Sequence, residues 1–209
     1  MPGMMSPMAK RTDHDNPYVS RGGLKLAAAL DAFHIDPAGF VCADLGCSTG
    51  GFTDCLLQRG AAHVFAVDTA YGALAWTLRQ NERVTVLERT NALHFDPRER
   101  IDGFAGCDLV TVDLGWTRQA RAMPAAQRWL RADAVGVITL IKPHYEAVGA
   151  GARPRGWRGG VLGDNDARDV TQRVLAELQQ GGWRVAGQAP SPVRGEKGGN
   201  QEWLAFLGC

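Results

Sequence analysis

The sequence predicts one α/β domain, built on a mostly parallel sheet with helices on both faces. Short apolar runs alternate with helical patterns from residue 22 to residue 207. This alternation is typical of strand–helix–strand units and a parallel sheet. The runs are continuously apolar, as expected for strands that are covered on both faces. The 209 residues, 45% of them hydrophobic, suffice for one full core and are too few for two ordinary domains.

The first half of the chain alternates helices with short strands. Leu24, Leu26 and Leu30 lie near helical spacing and predict the first helix. The predicted elements, in chain order, are a helix over 22–34, a strand over 40–45, a helix over 52–59, a strand over 63–67, a helix over 74–79 and a strand over 84–87. Three of the strands therefore come before residue 90.

The second half of the chain continues the same pattern and ends in two strands. The predicted elements are a strand over 108–112, a helix over 120–131, a strand over 134–141, a helix over 166–180, and strands over 183–189 and 203–207. Gly181 and Gly182 end the long helix, as glycines commonly do. The sheet is thus predicted to have seven strands.

Composition excludes several classes of protein. No apolar run reaches the 18 or so residues of a membrane span, so we expect no membrane partner. Residues 1–17 contain no apolar segment and are interpreted as a flexible tail before a domain over 18–209, not as a secretion signal. The five cysteines form no CxxC pair, which argues against disulfides and a metal site and favours a cytoplasmic protein.

A glycine-containing turn follows the first predicted strand, over residues 44–53. Gly46 and Gly50 would let the backbone approach a ligand closely. The turn is not a Walker sequence, because no Gly-Lys-Ser/Thr follows. Asp68 ends the next strand, 24 residues after Asp44, where a carboxylate can accept both hydroxyls of a ribose. A nucleotide site is therefore predicted at this edge of the sheet.

The negative charge of Asp44 indicates which nucleotide the predicted site binds. A carboxylate at the mouth of the turn would repel a pyrophosphate and would suit a cation. The ammonium and sulfonium groups of S-adenosylmethionine fit that requirement. A dinucleotide and a purely structural glycine turn are the alternatives.

Four charged residues form a second candidate group: Lys25 on the first helix, Asp113 and Lys142 at strand ends, and Glu202 before the last strand. Such a set suits deprotonation of a weakly acidic hydroxyl. A nearby ammonium and partial burial would lower the pKa of Lys142, making it a base or hydrogen-bond acceptor. Asp113 would orient it, and Lys25 and Glu202 would position the groups. The alternative is that all four are solvated surface residues.

These residues resemble the methyltransferase domain of the TlyA family, in the FtsJ-like class of ribose 2′-O-methyltransferases. The similarity extends from Tyr18 to about Leu207. The matching segments are 18–26, 44–53, 66–68, 71–72, 74–76, 86–91, 141–143, 145–146, 159–161, 190–192, 199–200 and Glu202. The resemblance implies a Rossmann-like S-adenosylmethionine-dependent methyltransferase fold whose last strand is antiparallel.

The resemblance also implies the roles of the site residues. The catalytic tetrad would be Lys25, Asp113, Lys142 and Glu202. The residues implied to bind S-adenosylmethionine are Asp44, Gly46, Ser48, Thr49, Gly50, Gly51, Phe52, Asp68, Asn91 and Asp113. The implied substrate is a ribose 2′-hydroxyl of RNA, with ribosomal RNA favoured. A methyltransferase of small-molecule hydroxyls and a cofactor-binding protein without turnover are the alternatives.

Two departures from the family concern RNA recognition. Family members usually carry an N-terminal RNA-binding domain, and only a short tail precedes Tyr18 here. We therefore expect either a protein partner that supplies RNA recognition or a more compact substrate. The family's run after the fourth strand is replaced by Leu-Gly-Trp-Thr-Arg, residues 114–118.

Positive charge is concentrated in the central part of the chain, although the formal net charge is only +1. Residues 114–160 carry seven Arg and one Lys against two acidic residues. Phosphate contacts dominate nucleic-acid affinity, and aromatic rings stack on bases. The predicted RNA-binding residues are Arg153, Arg155, Trp157 and Arg158. The alternative is a solvated, arginine-rich loop.

Overall fold

The computed structural model describes residues 16–149, 161–195 and 199–208. In chain order the elements are α1 (Gly22–Phe33), β1 (Val41–Leu45), α2 (Gly51–Gln58), β2 (His63–Val67), α3 (Trp76–Arg79), β3 (Val84–Leu87), α4 (Pro97–Arg100), β4 (Leu109–Val112), α5 (Gln119–Gln127), β5 (Gly136–Ile141), α6 (Pro143–Gly149), α7 (Asp164–Gln180), β6 (Arg184–Pro190) and β7 (Trp203–Gly208).

The strands form one seven-stranded sheet in the order β3-β2-β1-β4-β5-β7-β6. Strands β1 to β5 pair in parallel, whereas β7 runs antiparallel to both β5 and β6. The predicted fold class is confirmed, including the antiparallel last strand. The chain winds outward from β1 in both directions, so the strand order reverses between β1 and β4. In open α/β sheets such a switch point is where ligands bind, outside the carboxyl ends of the strands.

Two apolar layers cover the sheet, one on each face. Leu26 and Leu30 of α1 pack with Phe52 and Leu56 of α2 on one face. On the other face, the fully buried ring of Trp129 packs with Phe65, Phe95 and Phe104, with centroid distances of 5.5 to 5.8 Å. Burying such side chains contributes roughly 1.5–3 kcal/mol each. These layers fix the carboxyl ends of β1, β4 and β5 against each other.

Some elements differ from the sequence predictions. The short helices α4 and α6 were not predicted, and both begin at a proline, Pro97 and Pro143, which suits the first turn of a helix. Strand β6 alternates between exposed and half-buried residues. The expectation that every strand is covered on both faces is therefore wrong for β6, because it lies at the edge of the sheet. No helix in the described parts of the chain is long and apolar enough to cross a membrane.

Candidate active site

Two cavities open at the carboxyl ends of the central strands. The first, of about 300 Å³, lies between the start of α1, the turn after β1 and the start of β7. The second, of about 460 Å³, lies over the ends of β1, β2 and β4. They share Gly46, Ser48, Asp113 and Lys142 in their linings. A group bound in one cavity therefore meets a group bound in the other beside Asp113 and Lys142.

The structure brings the four residues of the predicted tetrad together around the first cavity. Lys25 Nζ donates to Glu202 Oε2 at 2.5 Å, and both side chains are buried. Lys142, at the end of β5, forms an ion pair with Asp113, at the end of β4. Segments far apart in the sequence thus supply two neighbouring cation–carboxylate pairs.

The charge state of Lys142 differs from the sequence prediction. Burial alone would lower the pKa of its ammonium group, but the attraction and hydrogen bond of Asp113, with the charge of Glu202, together raise it above its ordinary value. The prediction of a lowered pKa is wrong because each lysine of the tetrad comes with a carboxylate. Lys142 therefore keeps its proton at neutral pH.

Gly46 shapes the passage between the two cavities. Its φ is +91°, and a Cβ atom at this position would lie 2.5 Å from the carbonyl oxygen of Asp113. The backbone N–H groups of Gly46 and Cys47 both donate to the carbonyl of Val67, at 2.8 and 3.1 Å, tying the turn to the end of β2. Glycine is needed here because a side chain would push β1 and β4 apart.

The other residues of the turn after β1 either line the first cavity or pack against a neighbouring segment. Thr49, Gly51 and Phe52 line the first cavity. Gly50 lines neither cavity: a Cβ atom there would lie 2.7 Å from Leu74 Cδ1. The approach of the Gly50 backbone to a ligand stays a prediction. Its small size serves the packing of the turn against the segment that leads into α3.

Asp44 lies inside the protein and away from both cavities. Its carboxylate accepts hydrogen bonds from Thr53 Oγ1 at 2.7 Å and Thr111 Oγ1 at 3.1 Å. Burial raises the pKa of Asp44 to about 7. The prediction that this carboxylate faces a cationic ligand is therefore not what the structure shows. It joins the start of α2 to β4, because the side chain points into the interior.

Asp68 and Asn91 line the second cavity, as predicted for cofactor contacts. Asp68 accepts hydrogen bonds from the backbone N–H groups of Ser48 and Ala70, both at 2.8 Å. Asn91 is exposed, and its Oδ1 accepts from Leu93 N at 3.0 Å. These contacts fix a carboxylate and an amide at the edge of the cavity while leaving part of each side chain accessible.

Sequence reasoning missed several residues of the first cavity. Its lining also includes Ser20, Arg21, His144, Tyr145 and Arg194. His144 and Tyr145 follow directly after Lys142-Pro143, so their position beside the predicted tetrad was a usable signal. Arg194 carried no such signal, because its place depends on the path of the chain after β6.

The altered segment after Asp113 is anchored to α6. Glu146 is buried, and it accepts hydrogen bonds from Gln119 N at 2.7 Å and from Arg118 Nε at 3.3 Å. Trp116 has a φ of +56°, is 79% exposed, and stacks on Tyr145 with 4.5 Å between centroids. This segment therefore forms an ordered wall beside Lys142.

The predicted RNA-binding residues Arg153, Arg155, Trp157 and Arg158 lie outside the described residues. Within the described ranges, no cluster of three or more His, Cys, Asp or Glu side chains could hold a metal ion.

Comparison with known proteins shows the family of this chain. FtsJ-like methyltransferases match the chain over residues 18–209. The chain belongs to this family. The TlyA protein of Mycobacterium tuberculosis, a 16S/23S rRNA (cytidine-2′-O)-methyltransferase, is 44% identical over 197 residues, which cover 94% of this chain and 70% of the relative. The resemblance to TlyA proteins is therefore confirmed.

Solved structures place the FtsJ-like chain among known folds. A Streptococcus thermophilus protein described as a hemolysin has a TM-score of 0.82 and 34% identity, covering 94% of this chain and 69% of its own. Aeropyrum pernix fibrillarin, solved with S-adenosylmethionine bound, has a TM-score of 0.58 at 18% identity, covering 87% of this chain and 74% of its own. The latter likeness shows the Rossmann-like methyltransferase fold alone.

Proposed function

We propose that this chain transfers a methyl group from S-adenosylmethionine to a ribose 2′-hydroxyl of RNA, with ribosomal RNA as the favoured substrate. The observation that carries the proposal is the junction of two cavities at the Asp113–Lys142 ion pair. Methyl transfer needs a donor and an acceptor held on opposite sides of the transferred group, and two cavities with a shared wall provide that arrangement.

The second cavity suits the cofactor. Asp68 offers a carboxylate to the ribose hydroxyls, as acidic residues at this position of nucleotide-binding sheets do. Among its described lining residues the cavity has two carboxylates, Asp68 and Asp113, and one cation, Lys142. This balance favours a nucleoside without phosphates over a dinucleotide. When bound, S-adenosylmethionine supplies an electrophilic methyl group on a sulfonium centre.

The first cavity suits an RNA substrate. Its described lining contains four cations, Arg21, Lys25, Lys142 and Arg194, against the carboxylates of Asp113 and Glu202. An excess of positive charge attracts the phosphates on either side of a target ribose. All four tetrad residues line this cavity, where a ribose hydroxyl would meet them.

The four tetrad residues have different roles in the proposed reaction. Lys142, protonated at neutral pH, donates a hydrogen bond to the attacking oxygen and fixes its direction. Asp113 holds that ammonium group by its ion pair. Lys25 and Glu202, hydrogen-bonded to each other at 2.5 Å, keep the start of β7 against α1 and add the second cation–carboxylate pair.

The choice of RNA follows the TlyA relatives, since the M. tuberculosis protein acts on ribosomal RNA. We accordingly expect the chain to act in the cytoplasm. Residues Arg153, Arg155, Trp157 and Arg158 remain predicted RNA contacts, and a protein partner that aids RNA recognition remains a prediction.

Transfer of labelled methyl groups tests the proposal. The protein is incubated with labelled S-adenosylmethionine and ribosomal subunits, free ribosomal RNA or a small-molecule extract. We expect label in RNA at nucleotides that resist alkaline cleavage, as a 2′-O-methyl group requires. Lys142→Met should abolish most of the signal, and Lys10→Met, outside the described residues, is the matched control.

Three results would contradict the proposal: label only in small molecules, label on RNA bases, or equal labelling by Lys142→Met and the wild type. The first of these would support the small-molecule alternative.

A further inference from the structure

The loop after β3 forms one wall of the second cavity, over residues 90–93. Thr90 N donates to the carbonyl of Asp68 at 2.9 Å, so the loop is tied to the end of β2. Asn91 is exposed, and its Oδ1 accepts from Leu93 N at 3.0 Å. The amide of Asn91 therefore offers its two Nδ2 hydrogens to a ligand, and their position depends on what holds the loop.

Arg128 follows α5 directly and contacts this loop from outside the described lining of the cavity. Its guanidinium group donates to the carbonyl oxygens of the loop at three positions: Ala92 at 3.1 Å, Leu93 at 2.9 Å and Phe95 at 3.3 Å. It also reaches the carbonyl of Pro124 at 3.5 Å, one turn back in α5, where a cation suits the negative end of the helix dipole. Arg128 thus joins the end of α5 to the loop.

Arg128 and Asn91 hold the same two peptide groups from opposite ends. In the peptide group after Ala92, the carbonyl accepts from Arg128 and the N–H donates to Asn91 Oδ1. In the peptide group after Leu93, the carbonyl again accepts from Arg128, and the N–H donates to the Asn91 carbonyl at 3.0 Å. The carbonyl and N–H of a planar trans peptide point in opposite directions, so turning one turns the other. A change at Arg128 therefore reaches both the side chain and the backbone of Asn91.

The chemistry of arginine suits this position. Its planar guanidinium carries five donors in a fixed fork, whereas lysine has a compact ammonium on a flexible stem. The next residue, Trp129, is fully buried and stacks on Phe95, with 5.8 Å between centroids. The end of α5 and the loop are therefore packed together beside the guanidinium group, which fixes the donors opposite the carbonyls.

We propose that Arg128 is a positioning residue for the cofactor, because it fixes the Asn91 amide at the wall of the second cavity through these two peptide groups. This inference rests on the proposed function, which assigns that cavity to S-adenosylmethionine. Arg128 acts on cofactor affinity, and the chemical step remains with Lys142 and Asp113. The expected result of losing Arg128 is weaker cofactor binding with an unchanged rate at saturation.

A double-mutant cycle tests whether Arg128 acts through Asn91. Calorimetry gives the Kd for S-adenosylmethionine of the wild type, Arg128→Met, Asn91→Ala and the double variant. Each single substitution should raise the Kd about 10-fold, as expected for loss of one hydrogen bond to the ligand. The double variant should bind like Asn91→Ala alone, within about 2-fold, because residues that act as a unit are not additive. A Kd raised by the product of the two single effects overturns the inference.

Two further variants separate positioning from charge and from a general effect on α5. Arg128→Lys keeps the positive charge without the planar fork, so its Kd should also rise, by about 3-fold or more. Arg98→Met is the matched control, because Arg98 donates to the carbonyl of Leu130, just beyond α5, at 2.9 Å. Its Kd should equal that of the wild type.

Single-turnover methyl transfer to ribosomal RNA at saturating S-adenosylmethionine supplies the second readout. The rate of Arg128→Met should stay within about 2-fold of the wild type, since only ground-state binding is lost. If urea denaturation shows that Arg128→Met does not fold, the cycle is measured with Arg128→Lys. An unchanged Kd in the folded Arg128 variants, an equal rise in Arg98→Met, or a fall in rate at an unchanged Kd overturns the inference.

The same measurements distinguish failure of the proposed function. If the wild type does not bind S-adenosylmethionine, the assignment of the second cavity is wrong, and the inference with it. If the wild type binds the cofactor and transfers no methyl group to RNA, the proposed function is wrong, and the cycle of Kd values still decides the role of Arg128.

Discussion

Charged residues at the carboxyl edge of the sheet fall into two groups that differ in burial. Lys25, Asp44 and Glu202 form an inner group, each no more than 9% exposed and satisfied by other protein groups. Asp68, Asp113 and Lys142 form an outer group, which is half-buried and lines the second cavity. Residues of the same chemical type thus differ in their main effect: we expect the inner group to act on folding even where Lys25 and Glu202 reach the first cavity, and the outer group to act on ligands.

The largest expected effect is on the inner ion pair. Lys25→Met leaves the Glu202 carboxylate buried without its partner, and breaking a buried pair costs about 3–5 kcal/mol. We expect the free energy of unfolding, measured by urea denaturation, to fall by that amount. The double variant Lys25→Met/Glu202→Leu should recover much of it, because no unpaired charge remains. Equal stability of Lys25→Met and the wild type would show that the inner group does not support folding.

Asp44 should make the free energy of unfolding depend on pH. Its carboxyl has a pKa of about 7 in the folded protein against 3.8 ordinarily, so the fold favours the protonated form. The stability that this group contributes is present below about pH 4 and is lost as pH rises through 7. Asp44→Asn mimics the protonated form, and its unfolding free energy relative to the wild type should increase between pH 4 and 8, by on the order of 4 kcal/mol.

The measurement for Asp44 is a series of urea denaturations across that pH range. Asp102→Asn, at an exposed aspartate, is the control, and its unfolding free energy should change with pH as that of the wild type does. If the unfolding free energies of Asp44→Asn and the wild type differ by the same amount at all pH values, the pKa of Asp44 is not raised in the folded protein.

The outer group should behave in the opposite way. Lys142→Met removes a donor that acts in the transition state, and loss of one such donor lowers kcat by about 100- to 1000-fold. The side chains of Lys142 and Asp113 are 16% and 25% exposed, against 11% and 4% for Lys25 and Glu202, so the free energy of unfolding should fall by less than in Lys25→Met. Single-turnover methyl transfer and urea denaturation measure the two effects. A variant that loses stability as severely as Lys25→Met would erase the distinction between the groups.

The division into two groups marks the limit of sequence prediction here. The seven strands and the positions of Asp68, Asp113 and Lys142 could be predicted, because strand ends in a parallel sheet meet at one edge. The inward direction of Asp44 could not, since it depends on Thr53 and Thr111 coming from two other elements. The raised pKa of Lys142 depends likewise on the distance to Asp113. Sequence spacing indicates which residues reach the edge and leaves their direction open.

The smallest expected effect concerns Asp68, the outer counterpart of Asp44. Asp68→Asn keeps an oxygen for the Ser48 or Ala70 N–H but removes the charge offered to ribose hydroxyls. A hydrogen bond to a charged group is worth about 1.5–3 kcal/mol, so the Kd for S-adenosylmethionine should rise about 10- to 100-fold. Calorimetry measures the Kd, with Asp36→Asn at an exposed site as the matched control. An unchanged Kd would show that the ribose of the cofactor does not bind beside β2. It would also contradict the assignment of the second cavity to the cofactor.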